Sequence, residues 1–108
     1  MCNYSTLINC GQGYVVRCEK CHRIQVAFGT SVISFTRLQF EGYVVLVDDN
    51  YKVFRSSRCR DEKVVTIAAP VSGVSTILTV KELCMLWYLL LEGRKRLMRD
   101  EFSSFSVN

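Results

Sequence analysis

The sequence has no glycine-rich phosphate loop, no His-Glu-x-x-His, no nucleophile elbow and no readable pair of carboxylates. The usual signatures of nucleotide, peptide, ester and glycoside chemistry are therefore missing. It has one histidine, His22, with no nucleophile or carboxylate at a readable spacing, which is poor evidence for catalysis. The simplest place for His22 is the surface of a turn. Long apolar runs are also absent. The longest, Leu83–Leu91, falls short of the roughly 20 residues that span a bilayer. Met1–Thr6 lacks a basic stretch, and the next apolar run is too short for a signal peptide. The expected compartment is the cytoplasm, where thiols stay reduced. Six cysteines there read as metal ligands, reactive thiols or core residues, not as a disulfide framework. Net charge is only +4, so charge alone argues weakly for a nucleic-acid partner.

What is present fits one domain over residues 1–108. Nearly half the residues are apolar, enough for a single core. A charged fraction of 22% with a mean hydropathy of +0.15 argues against disorder. That hydropathy is high for a small soluble monomer, so part of the apolar surface is expected to be covered by a second copy.

Residues 1–22 read as a hairpin followed by a Cys-x-x-Cys turn. The strands are residues 3–9 and 14–18, with Gly11-Gln12-Gly13 between them. Closing this hairpin on residues 10 and 14 sets Thr6 opposite Cys18 and Cys2 opposite His22. Residues 23–50 read as a first ββα unit, with strands Arg23–Phe28 and Ser31–Phe35 and a helix from Arg37 to Asn50. Thr36 and Gln39 make a capping box at its start. Phe40, Tyr43, Val44, Val47 and Tyr51 share one helical face. Tyr51–Lys63 reads as an exposed basic connection.

Residues 63–101 repeat the pattern. Strand 63–69, expected to be buried on both faces, and strand 74–78 lead to a second capping box at Thr79 and Glu82. A helix then runs from about Val80 to Arg99. Residues 102–108 read as a loose tail. The implied fold is α+β: an antiparallel sheet of about six strands, made of the hairpin and two ββα units, with two helices on one face.

Cys18 and Cys21 carry three readings. At two-residue spacing both thiolates reach one tetrahedral zinc from a single turn. A second Cys-x-x-Cys or His-x-x-x-His pair is lacking, so further ligands would come from Cys2, His22 or Cys59. Cys10 sits too far up the hairpin. The second reading is thiol redox exchange, although such sites usually open a helix and here a strand pattern follows Cys21. The third is two packed, inert cysteines.

Arg17, Lys20 and Arg23, with Arg55, Arg58 and Arg60, are candidate nucleic-acid contacts, but interleaved acids make a solvated mixed surface the plainer reading. On the second helix, Met85 and Leu89 fall opposite the main apolar arc. Leu38, Val45 and Leu46 do the same on the first. A homodimer through these helices is the expected explanation.

Tyr14-Val15-Val16-Arg17-Cys18-Glu19-Lys20-Cys21, with Ile24-Gln25-Val26-Ala27-Phe28-Gly29, resembles a family of small bacterial proteins of unknown function. Their pattern is a Cys-x-x-Cys, an Ile-Gln-x-x-Phe-Gly-like strand and two helices. The resemblance implies a stand-alone bacterial domain and brings no activity with it. The reading from the residues is a non-enzymatic binding domain.

Overall fold

The computed structural model describes residues 3–56, 62–68 and 75–106. Six strands and two helices follow in the order β1 (Tyr4–Asn9), β2 (Gly13–Cys18), β3 (Ile24–Phe28), β4 (Ser31–Phe35), α1 (Arg37–Phe54), β5 (Lys63–Ala68), β6 (Ser75–Thr79) and α2 (Val80–Ser106). The class is α+β, and both ββα segments are present. The strands do not form one sheet, however. β1-β2-β3-β4 make an antiparallel meander, and β5-β6 make a separate two-stranded ribbon. Among the described residues no strand pairing joins the two sheets. Side chains from both, Val26 and Phe28 on one and Thr76 on the other, line a small cavity of about 20 Å³ with Tyr43 and Leu86. β5 is also buried on one face only, through Val65 and Ile67, while Thr66 and Ala68 are exposed.

The first hairpin departs from the simple register. Tyr4 lies opposite Cys18 and Thr6 opposite Val16, whereas Ile8 lies opposite Val15. A bulge at Leu7 takes up the extra residue. It lets two consecutive apolar residues, Leu7 and Ile8, both reach the core, which strict alternation forbids.

Both capping boxes form. The Gln39 amide donates to Thr36 Oγ1 (3.1 Å) and Thr36 N–H donates back to Gln39 Oε1 (3.0 Å). Glu82 and Thr79 exchange the same pair at 3.0 and 2.9 Å. Each box satisfies two amides that a helix start leaves without an intrahelical partner. Both helices outrun their expected ends. α1 continues to Phe54 because Tyr51 stacks on Trp87, with ring centroids 3.9 Å apart and planes at 7°. α2 continues through most of the expected tail, to Ser106.

Leu89 is the main correction on α2. It is fully buried, because α2 has two covered sides. One faces α1 and the β5-β6 ribbon, and the other lies on β1 and β2. A helix placed centrally is apolar nearly all round, so the second apolar surface at Leu89 belongs to the chain's own core. Met85 is half-buried.

The helix–sheet contact is reciprocal. A Cβ on Gly13 would lie 3.1 Å from Leu89 Cδ2, and a Cβ on Gly93 would lie 3.0 Å from Val15 Cγ2. Each element thus offers a glycine to the other's side chain. Two strand residues advance about 6.7 Å and four helix residues about 6 Å, so the two contacts fit one spacing.

α1 and α2 run antiparallel, joined along their length by polar contacts. Arg37 donates to both oxygens of Glu101 (3.1 and 3.0 Å) and also pairs with Glu41. Arg94 Nε bonds Glu41 (2.9 Å), and Trp87 Nε1 donates to Asp48 (2.8 Å). The Arg37 bond holds the Glu101 carboxyl below its usual range. Trp87 and then Lys52 do the same for Asp48. Lys63, backed by the Thr79 amide, does so for Glu82. Burial alone would push Glu41 up, but the bonds from Arg37 and Arg94 outweigh it and hold it low.

Carboxylates with depressed folded-state pKa values stabilise the fold above their unfolded pKa, about 4.3 for Glu, and lose that contribution as pH falls through the folded value. The urea midpoint is therefore expected to be flat above about pH 5 and to drop steadily toward pH 3. Glu101→Gln should flatten part of that drop. An acid limb of equal steepness in this variant would remove Glu101 from the cause.

Candidate metal turn and the surfaces around it

The Cys-x-x-Cys turn joins β2 to β3 and is closed by backbone bonds. Cys18 N–H donates to the Arg23 carbonyl (2.8 Å), and His22 N–H donates to the Cys18 carbonyl (3.0 Å). The Cys21 amide donates to Cys18 Sγ (3.4 Å). His22 has φ of 63°, the only positive φ outside glycine among the described residues. A left-handed histidine is uncommon, and it persists here because the turn must reverse within these few residues.

Cys18 is fully buried at the end of β2, while Cys21 and His22 are exposed. Among the described residues no group of three His, Cys, Asp or Glu side chains converges for a metal. His22 therefore does not complete a site with the two cysteines in this geometry. Cys10 is exposed at the opposite end of the hairpin, its amide bonded to the Gly13 carbonyl (3.0 Å). Cys2 and Cys59 lie outside the described residues. Asn3 does not: its carbonyl accepts the Glu19 amide at 2.7 Å, so the chain just after Cys2 runs beside the turn. The element after Cys21 is strand β3, and no helix N-terminus faces either thiol from that side.

The first group of basic residues is split. Arg17 opposes Ile24 on the helix-covered face of the sheet, its charge adds to the pull on Glu101, and its Nε is buried without a partner. Arg23 is bound on the other face, where it donates to Ser34 Oγ (3.0 Å) and to the Ser34 carbonyl (3.3 Å). Lys20 is exposed on the turn. Of the second group, Arg55 caps α1 and is exposed, and Arg58 and Arg60 lie outside the described residues.

The face of the meander turned away from the helices carries a shallow groove of about 290 Å³, lined by Tyr4, Thr6, Asn9, Tyr14, Val16 and Gln25. Gln25 donates to the Tyr4 hydroxyl across it (3.2 Å). No charged side chain lines this groove, so it lacks what a phosphate ligand needs.

On α1 the expected outward residues Leu38 and Val45 are exposed, and Leu46 less so. Val53 joins them. The sequence carries no end signal at Asn50, and the basic residues after it hide the last turn of the helix and Val53 with it. Among the described residues no helix is long and apolar enough to cross a membrane.

No curated protein and no solved structure matches the sequence. A family model does match, the family of unknown function DUF6686, over residues 1–106. The chain, nearly all of it covered by that match, belongs to this family of unknown function.

Proposed function

We propose that this chain is a non-enzymatic interaction domain whose Cys18–Cys21 turn is held by one structural zinc ion. The observation that carries the reading is the turn itself. The Cys21 amide donates to Cys18 Sγ, so one turn already brings the backbone of the second cysteine onto the sulfur of the first. The two cysteines are also three residues apart on a backbone closed by its own hydrogen bonds. Two ligands do not make a structural zinc site, which takes four. Cys2 is the first candidate for a third. It is covalently next to Asn3, so its Cα lies about 3.8 Å from that of Asn3 in any trans conformation. Cys59 is the other candidate thiolate. The interaction role rests on exposed apolar surface on α1 and on the absence of a catalytic constellation in the sequence.

Elemental analysis of protein purified without chelators tests the metal directly. About one zinc per chain is expected, with a fall in Tm when a chelator removes it. Cys21→Ser is the informative variant. Cys21 is exposed, so the change removes a ligand without opening the core, and it should reproduce the effect of the chelator. Metal-free protein with the same Tm in chelator would overturn the reading.

A further inference from the structure

α1 carries one exposed stripe over its whole length, Leu38, Gly42, Val45, Leu46, Asp49 and Val53, with the exposed Lys52 along one edge of it. The four apolar members are 83%, 60%, 37% and 71% accessible in chain order. Their spacing reads the same in both directions. Leu38 and Val53, Gly42 and Asp49, and Val45 and Leu46 are each placed symmetrically about the middle of the helix. A two-fold interface requires this property, because residue i must meet j while j meets i. From this geometry we infer that α1 pairs antiparallel with α1 of a second copy, each residue facing its symmetric counterpart. The inference rests on the interaction-domain reading but not on the zinc.

In that arrangement Leu38 meets Val53 at both ends, and Val45 meets Leu46 at the centre. Asp49, the carboxylate within the stripe, falls over the partner's Gly42, while Lys52 at the edge is already paired with Asp48 of its own helix. A Cβ at Gly42 would have nothing within 4 Å in the single chain, so the chain's own packing does not require a glycine there. A glycine in mid-helix weakens the helix, and here it leaves a gap opposite the carboxylate. The two Asp49 carboxylates sit about 10 Å apart along the axis, beyond the Debye length at physiological salt.

The area is sufficient. The four apolar side chains leave roughly 450 Å² per chain uncovered, in the range of the largest patch on a typical monomer and often a functional one. Covering them fully in two copies would bury about 900 Å², and contact by flanking residues supplies the remainder of the roughly 1,000 Å² that a specific interface needs.

Sedimentation equilibrium of the full chain is the test. The wild type is expected at twice the 12.4 kDa chain mass. Gly42→Gln should sediment at the single-chain mass with its helix content intact, because glutamine is the better helix former and has free space in the monomer. Val45→Glu should do the same. Oxidative crosslinking fixes the register. Val45→Cys should crosslink to its own copy and Leu38→Cys should not, while the Leu38→Cys/Val53→Cys pair should. Peptide mapping locates each crosslink, because Cys10 and Cys21 are exposed too. A wild type that stays monomeric at about 100 µM, a dimer unmoved by both Gly42→Gln and Val45→Glu, or self-crosslinking of Leu38→Cys would each overturn the inference. Protein that is metal-free as purified, with its Tm unchanged in chelator and the dimer retained, would overturn only the metal reading.

Discussion

Gly13→Ala is expected to cost more than about 3 kcal/mol, or to prevent folding, although it adds a single methyl group. The added Cβ would sit 2.1 Å from the Ala27 carbonyl oxygen, a backbone atom on the neighbouring strand. A flexible side chain could swing away, but a paired strand cannot. Gly13 lies in the β2–β3 ladder, so relief would require β2 and β3 to separate. The same methyl would press on Leu89, one of the residues by which α2 rests on the sheet. Glycine inside a strand often marks such a close approach. Urea denaturation of the variant checks the claim, and a midpoint equal to wild type would refute the close contact.

Gly93→Leu is the second large effect, with an expected loss of about 2–3 kcal/mol. Helix propensity alone predicts the opposite sign, because leucine is favoured over glycine by roughly 1 kcal/mol in a helix interior. Packing decides. The Cβ at Gly93 already meets Val15 at 3.0–3.3 Å, and Val15 is fully buried with no room to retreat. The remaining leucine atoms would force α2 off the sheet. Combining Gly93→Leu with Val15→Ala should recover part of the loss, giving a coupling above about 1 kcal/mol. Strict additivity of the two changes would mean that the residues do not touch. Gly42, with open space around it, provides the contrast within the same protein.

Much of this architecture is legible in the residues, and the reason differs from part to part. Both helix starts can be read because a capping box is local chemistry: Thr36 with Gln39, and Thr79 with Glu82, need no partner beyond their own turn. The buried face of α1 follows from the spacing of Phe40, Tyr43, Val44 and Val47, all of which are buried. The extra turn of α1 is not legible, because Tyr51 is held by Trp87, far along the chain. Leu89 cannot be placed from periodicity either. Spacing says that α2 has apolar residues on two sides but not whether a second copy or its own sheet covers them. The bulge at Leu7 and the split into two sheets are likewise tertiary outcomes, settled by which side chains compete for one core. At the Cys-x-x-Cys turn, the sequence supplies the ligand types. The fold adds the burial of Cys18, the exposure of Cys21 and the nearness of Asn3.

The contact between α2 and β1 has a consequence for how this protein is made. Arg96 donates to the Leu7 carbonyl (2.9 Å), a bond between residues 89 positions apart. The β1–β4 meander is built from neighbouring hairpins and can pair as soon as it leaves the ribosome. The helix that covers its inner face has not yet been synthesised. At ordinary translation rates roughly 5–20 s separate Leu7 from Arg96. Until α2 is made, Leu7 and Val15 lack its cover, so the nascent meander exposes apolar surface that the finished fold hides, a stage open to aggregation.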